Sequence, residues 1–296
     1  MSREIRYYLG RVVKGGILNQ DRLKDAILDP IELHKNKYVY SFVNMQDYGN
    51  FIFGKIAKFK RFGEIEKIDR KEHVETTIYE HDVKEVSSCF VYVPEFSGIA
   101  YQHIWNNFEK DQFESIFSKL VSEKFDNMLI HCEIDPVVDL RAFISRLHEL
   151  KKINSIKATV KPPNPLFGPC WKSIKDYLAE RNASEITINE EAKSGGLNTK
   201  IQKMIEIVLK HNKNALEEIA ELTEYDNSLS DSAVLMAADG YGVAKIEGED
   251  DSGNVIIRTK QNQKTFLAAR EPSPKDLYEK VYSELTKINK ERYLGH

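Results

Sequence analysis

Residues 109–135 read EKDQFESIFSKLVSEKFDNMLIHCEID, and the change of period within them decides the fold class. Phe113, Ile116, Phe117, Leu120 and Val121 recur at the spacing of one helical face, which predicts a helix over 109–125. Met128 to Ile134 is a short apolar run of strand length. Beyond it, Leu140, Phe143, Ile144 and Leu147 mark a second helix within 138–150. Ile156, Ala158 and Val160 alternate through a strand over 153–161. A helix over Trp171–Glu180 and a strand over Glu185–Ile188 complete the stretch. Such alternation predicts a central α/β layer with helices on one face of its sheet, for which a ferredoxin-like unit is one form.

Outward from this centre the two flanks differ. The first hundred residues read mainly as β. Ile5 to Val12 alternates, and Tyr38–Val43 and Phe51–Lys60 are strand-like runs joined by Asp47-Tyr48-Gly49-Asn50, a turn sequence. A short helix over Asp21–Leu28 ends at Pro30, and Val86–Val93 pairs with Ile99–Ile104. Toward the carboxyl end, Ile201, Met204, Ile205 and Val208 form a helical stripe that Asn198 or Thr199 would cap. A helical stretch at Leu216–Leu222 continues or follows it. Tyr241–Glu247 and Asn254–Thr259 predict a late hairpin. The expected fold is therefore α+β in three parts: a β-rich domain at 1–108, a central α/β domain at 109–194, and a helical part with the hairpin at 195–296. The boundaries fall near Phe108 and near Ser194-Gly195-Gly196.

The last helix, Pro274 to Tyr293, carries Leu277, Val281, Leu285 and Ile288 as a narrow stripe on a heavily charged surface. A stripe this narrow suits a seam against one partner helix. That partner is either the same helix of a second subunit or the chain's own helix near Met204.

The 296 residues carry 43 basic and 46 acidic side chains, a net charge of −3, so no overall excess of either sign points to nucleic acid or to disorder. Three cysteines, an odd number, exclude a disulfide framework in a chain this long. The amino terminus lacks the apolar core of a secretory signal, and no window is long and apolar enough to span a membrane, so the expectation is a cytoplasmic protein without membrane contact.

Five stretches have residue types that can carry chemistry. Phe51–Phe62, FIFGKIAKFKRF, holds Lys55, Lys58, Lys60 and Arg61 among aromatics that include Phe59, with no acid. Cations that neutralise phosphate beside rings that stack bases make a single-strand binding surface; an edge strand with lysines outward for solubility has the same composition. Lys161–Pro169, KPPNPLFGP, is a stiff segment suited to a ligand-facing loop or to a rigid crossover. His131, Glu133 and Asp135 alternate onto one face, as mixed metal ligands would, or as the polar side of a strand that buries Cys132 and Ile134. Acid-x-Lys triplets of the nuclease kind occur at Asp69, Asp82, Glu149 and Glu191, no more often than this composition yields by chance. Lys193–Lys200 is a glycine-containing turn into a helix without phosphate-loop spacing. No residue pattern calls for a cofactor or a resident metal, and no nucleophile elbow or zinc-protease motif is present.

Cys89-Phe90-Val91-Tyr92-Val93, then Gly98-Ile99-Ala100-Tyr101 leading into the helix from Glu109, set an order of parts that the Pro162-Pro163-Asn164-Pro165 loop and the Ala237-Ala238-Asp239-Gly240-Tyr241-Gly242 turn extend. In length and order this layout resembles the RexA-like phage-exclusion proteins and related proteins of prophages and defence islands. The resemblance implies an intracellular homodimer that binds nucleic acid and senses or restrains phage; the nucleic acid expected is DNA rather than RNA. It transfers no functional residue. Together these readings give a non-enzymatic nucleic-acid-binding protein of anti-phage defence, with Lys55, Lys58, Phe59, Lys60 and Arg61 as the contact surface. The alternatives are a metal-dependent nuclease and a protein–protein adaptor that uses the terminal helix.

Overall fold

The structure, a computed structural model, describes residues 4–69, 74–126, 129–161, 174, 177–178, 180–210, 218 and 229–292. The Pro162–Pro169 run lies outside these residues. So do most of the helix expected over Trp171–Glu180 and most of the stretch Leu216–Leu222.

Two antiparallel sheets organise the chain, and with the helices packed on them they make it α+β. The larger runs β12-β1-β6-β5-β4-β3-β2. Its strands are β1 (Glu4–Gly16), β2 (Leu33–Lys35), β3 (Tyr38–Asp47), β4 (Ile52–Asp69), β5 (Val74–Val93), β6 (Gly98–Gln102) and β12 (Thr265–Ala269). β7 (Ile130–Pro136) also joins it, because β1 is long enough to serve two partners on one edge. Glu4–Tyr8 pair with β12, and Gly10–Gly16 pair with β7. The smaller sheet runs β11-β10-β8-β9, from β8 (Lys152–Val160), β9 (Ile186–Glu191), β10 (Gly242–Asp250) and β11 (Gly253–Arg258). Of the expected apolar run, Ile130–Ile134 thus joins the large sheet, whereas the next strand in sequence, β8, lies in the small one. The late hairpin forms as expected, with Asp250 Oδ1 accepting from the backbone N–H of Ser252 and Gly253 across its turn.

The helices cover the sheet faces their stripes dictate. α1 (Gln20–Leu28), capped by Asn19, and α2 (Lys110–Glu123) bury one face of the large sheet. Phe113, Phe117, Phe42 and Phe90 pack there edge to face. α3 (Leu140–His148), α4 (Ile201–Leu209) and α5 (Leu229–Ala238) enclose the core of the small sheet. α5 is buried on every side from Ser230 to Ala238. A helix without a polar face has no amphipathic period, so nothing in the sequence pattern marks it. The α4 cap also differs from expectation. Asn198 and Thr199 make no capping bond; instead Asp231 of α5 accepts from the Lys200 N–H at 2.8 Å, a partner that only packing supplies.

The terminal helix α6 (Pro274–Arg292) corrects the seam expectation. Leu277, Val281, Leu285 and Ile288 are buried against Tyr7, Leu9, Phe53, Val91 and Val93 on the second face of the large sheet. Its stripe therefore meets a β surface of its own chain, with only a smaller contact to α4. No described helix is long and apolar enough to cross a membrane.

Candidate functional site

Strand alternation separates the five residues of the basic stretch. Lys58 and Lys60 lie on the side of β4 that carries Tyr38, with their ammonium groups 4.1 and 5.8 Å from its ring centroid. Lys37 approaches the same ring at 5.4 Å. Lys55, Phe59 and Arg61 point to the opposite side. There Lys55 lines a cavity of about 370 Å³ with Phe53, Cys89 and Glu271. Arg61 pairs with Glu32 at 3.3 Å and donates to His34 Nε2 at 3.2 Å. Lys60 is itself paired, to Glu85 at 2.5 Å, and that bond raises the Lys60 pKa and lowers that of Glu85. The structure thus brings Lys58 and Lys60 together, adds Lys37 and Tyr38, and turns Lys55, Phe59 and Arg61 away.

β4 and β5 run on past β3, whose pairing with β4 ends at Val39 and Phe59. The two-stranded extension exposes Phe62 (66 %) and Tyr79 (71 %). Phe62 packs on His81, and Tyr79 donates to Glu64.

A second cluster forms where the two sheets meet. α2, β7, β8 and β10 enclose a cleft of about 650 Å³. Gly242, at φ +144°, lets β10 close against β8, since a Cβ there would stand 2.1 Å from the Thr159 carbonyl oxygen. The polar side of β7 enters this cleft, as its alternation requires. Lys161 donates to Glu133 and, at 2.9 Å, to His131 Nε2. An ammonium group thus takes the position a metal would need between those two side chains, and the trio forms the polar face of β7, the other reading of its alternation. Among the described residues no group of three or more ligating side chains is placed to hold a metal. Burial raises the Glu133 pKa, but Lys161 outweighs it and holds the carboxyl below its ordinary value.

Asp135, next on the same face, is 4 % exposed, and its Oδ2 has no hydrogen-bond partner. Burial, against the pull of Lys161, pushes its carboxyl up to about 7. Glu114 of α2 is also buried and accepts from Tyr101 OH at 2.6 Å; burial raises its pKa too. Gln263 Nε2 donates to the same Tyr101 oxygen at 3.2 Å and to Leu9 O at 2.9 Å. Cys132 faces the core beside them, its thiol pushed up to about 12 by burial, so it stays protonated. Sequence reasoning misses Glu114 and also Lys260, which follows β11 and lines the cleft, and it places Lys161 only as the flank of the proline run. The available signal is a carboxylate at the border of the α2 apolar stripe, next to Phe113.

The nuclease triplets gain no context. Glu191 and Lys193 are exposed at the end of β9. The Asp69 triplet ends outside the described residues.

A family model, described as Domain of unknown function (DUF4747), matches residues 26–214. That is more than half of the 296 residues, and the chain belongs to this family. The matched stretch contains Tyr38, Lys58, Lys60, Glu114, Asp135 and Lys161, but not Lys260. No curated protein matches the chain.

Proposed function

We propose that this protein is a non-enzymatic single-stranded-DNA-binding protein of anti-phage defence, and that the strand crosses the Tyr38 side of β4. One observation carries the reading: Lys37, Lys58 and Lys60 surround a single half-buried tyrosine ring. Ammonium groups neutralise phosphates while a ring edge or face meets a base, and both contributions are tolerant of sequence. The setting in phage defence rests on the layout's resemblance to RexA-like proteins, as does action as a homodimer. Such a dimer would use a surface other than the apolar stripe of α6.

Replacing Lys37, Lys58 and Lys60 together by Glu is expected to weaken binding of an oligonucleotide by well over tenfold. It should also flatten the salt dependence by about 0.7 in log–log slope for each phosphate that is no longer neutralised. Titration by fluorescence anisotropy at several salt concentrations reads both. Arg61→Glu, on the other side of the sheet, should leave both unchanged. If the triple variant binds as wild type does, the lysines serve solubility and the reading fails.

A second reading, a protein–protein adaptor, draws on the exposed Phe62 and Tyr79 of the β4–β5 extension. Aromatic side chains of this exposure are common anchors for protein partners. A Phe62→Ser, Tyr79→Ser variant that keeps DNA binding but loses a cellular effect of the protein would favour the adaptor.

A further inference from the structure

The inter-sheet cleft stands apart from the Tyr38 surface and has a feature that calls for an occupant. Asp135 Oδ2 is sealed from solvent and unpaired. A buried carboxylate oxygen left without a donor bears the full desolvation penalty of the group. It is answered either by a proton or by a donor from a ligand. At about 650 Å³ the cleft is in the size range of small-molecule sites.

The charge of the lining selects the ligand. Among the described residues, five carboxyl groups line the cleft: Asp111, Glu114, Glu133, Asp135 and Glu185. Three lysines oppose them: Lys119, Lys161 and Lys260. Lys161 is already engaged by Glu133 and His131. Lys119 and Lys260 are exposed at the rim, whereas Glu114 and Asp135 are buried at the floor. The deep part of the cleft is therefore acidic and short of donors.

We propose that this cleft binds a small organic cation, an amine or guanidinium of polyamine size, with one N–H donating to Asp135 Oδ2 and another to the Glu114 carboxyl group. An ammonium or guanidinium satisfies carboxylates from separate elements without the tight, fixed shell a divalent metal demands.

A proton accompanies the event. In the empty cleft burial holds Asp135 near 7, with Glu133 and Glu114 adding to the rise and Lys161 and Lys260 opposing it. The Cys132 thiol stays neutral in this range. A bound cation favours the ionised carboxylate, so the Asp135 pKa falls on binding and a proton leaves. Affinity must then rise with pH up to about 7 and level off above it. Between pH 6 and pH 8 the gain is about tenfold.

Isothermal titration of the full chain with spermidine tests this, in two buffers of different ionisation enthalpy at pH 7. Saturable binding at one site per chain is expected, with proton release and the tenfold pH trend. The uncharged 1,8-octanediol should give no heat. Asp135→Asn, nearly the same shape, should lower spermidine affinity at least tenfold and abolish the proton release, while oligonucleotide binding stays at the wild-type level. Should that variant not fold, Glu114→Gln is expected to weaken spermidine binding in the same sense, and the wild-type proton release remains decisive. No saturable spermidine binding, or binding without proton release, overturns the proposal. So does displacement of spermidine by millimolar Mg²⁺ at constant ionic strength, which would make the cleft a metal site. Loss of oligonucleotide binding in a folded Asp135→Asn protein would also overturn it, by merging the two sites.

Discussion

Asp239→Asn is expected to destabilise the protein by about 3–5 kcal/mol, a large effect for so conservative a change. Asp239 follows α5 at 1 % exposure and stands between two buried guanidinium groups. Arg292 Nη1 pairs with its Oδ1 at 2.5 Å, and Arg11 Nη2 lies 3.9 Å from the same oxygen. Arg11 Nη2 donates to Asn289 Oδ1 at 3.2 Å, and both arginines are further tied to backbone carbonyls. Arg11 donates to Asp239 O and Phe96 O, each at 2.7 Å, and Arg292 donates to Ala238 O and Val138 O. Arg11 also lies over the Tyr241 ring, 5.1 Å from its centroid. These bonds join β1 of the large sheet, the end of α5 and the last turn of α6. An amide keeps the shape but removes the one negative charge between two desolvated cations, which then repel each other in a medium of low dielectric. Chemical denaturation should show the loss, and Tm should fall by roughly 6–15 °C. A drop under 1 kcal/mol would mean that water reaches the pair and that the cluster is not the clamp between the sheets.

Leu285→Ala is expected to cost about 3–4 kcal/mol, and its coupling to Gly98 gives the sharper measurement. Leu285 is fully buried on the large sheet. It sits directly over Gly98 of β6, where a Cβ would come 2.5 Å from Leu285 Cδ1. Gly98→Ala alone therefore overpacks the contact and should cost about 1–3 kcal/mol. In the double variant the new methyl occupies part of the space the leucine vacates. The two costs should then fall short of additivity by about 1 kcal/mol or more. Additive losses in urea melts would show that α6 does not rest on β6 through this pair. The same docking implies that truncation before Pro274 yields an insoluble chain rather than a folded monomer, since it uncovers the apolar face made by Leu9, Phe53, Val91 and Val93.

What was legible in the sequence was what repeats over short distances. The α2 stripe of Phe113, Ile116, Phe117, Leu120 and Val121 predicted both the helix and its buried face, and all five side chains are fully buried. The turn at Asp47–Asn50 and the one after Asp250 marked two hairpins, because the local backbone at each is set by the residues that occupy it. Strand parity alone sets Lys58 and Lys60 apart from Phe59 and Arg61, so the single contact surface expected from composition divides between two sides of the sheet. The stripe of α6 was visible as well, but an apolar row says only that something covers it, not whether that is a helix, a sheet or another subunit.

Only the tertiary structure decided the rest. The partners of β1 lie far along the chain, at 98–102, 130–136 and 265–269, and no local period encodes which strand is chosen. Helix α5 has no periodic signal because complete burial erases the contrast between faces on which sequence patterns depend. The cleft is assembled in the same non-local way, with Glu114 from a helix, Asp135 from the large sheet's edge and Lys161 from the end of the small sheet. In sequence these are ordinary charged residues. Their meaning comes from desolvation and from the charges brought near them, and both exist only once the sheets have packed together.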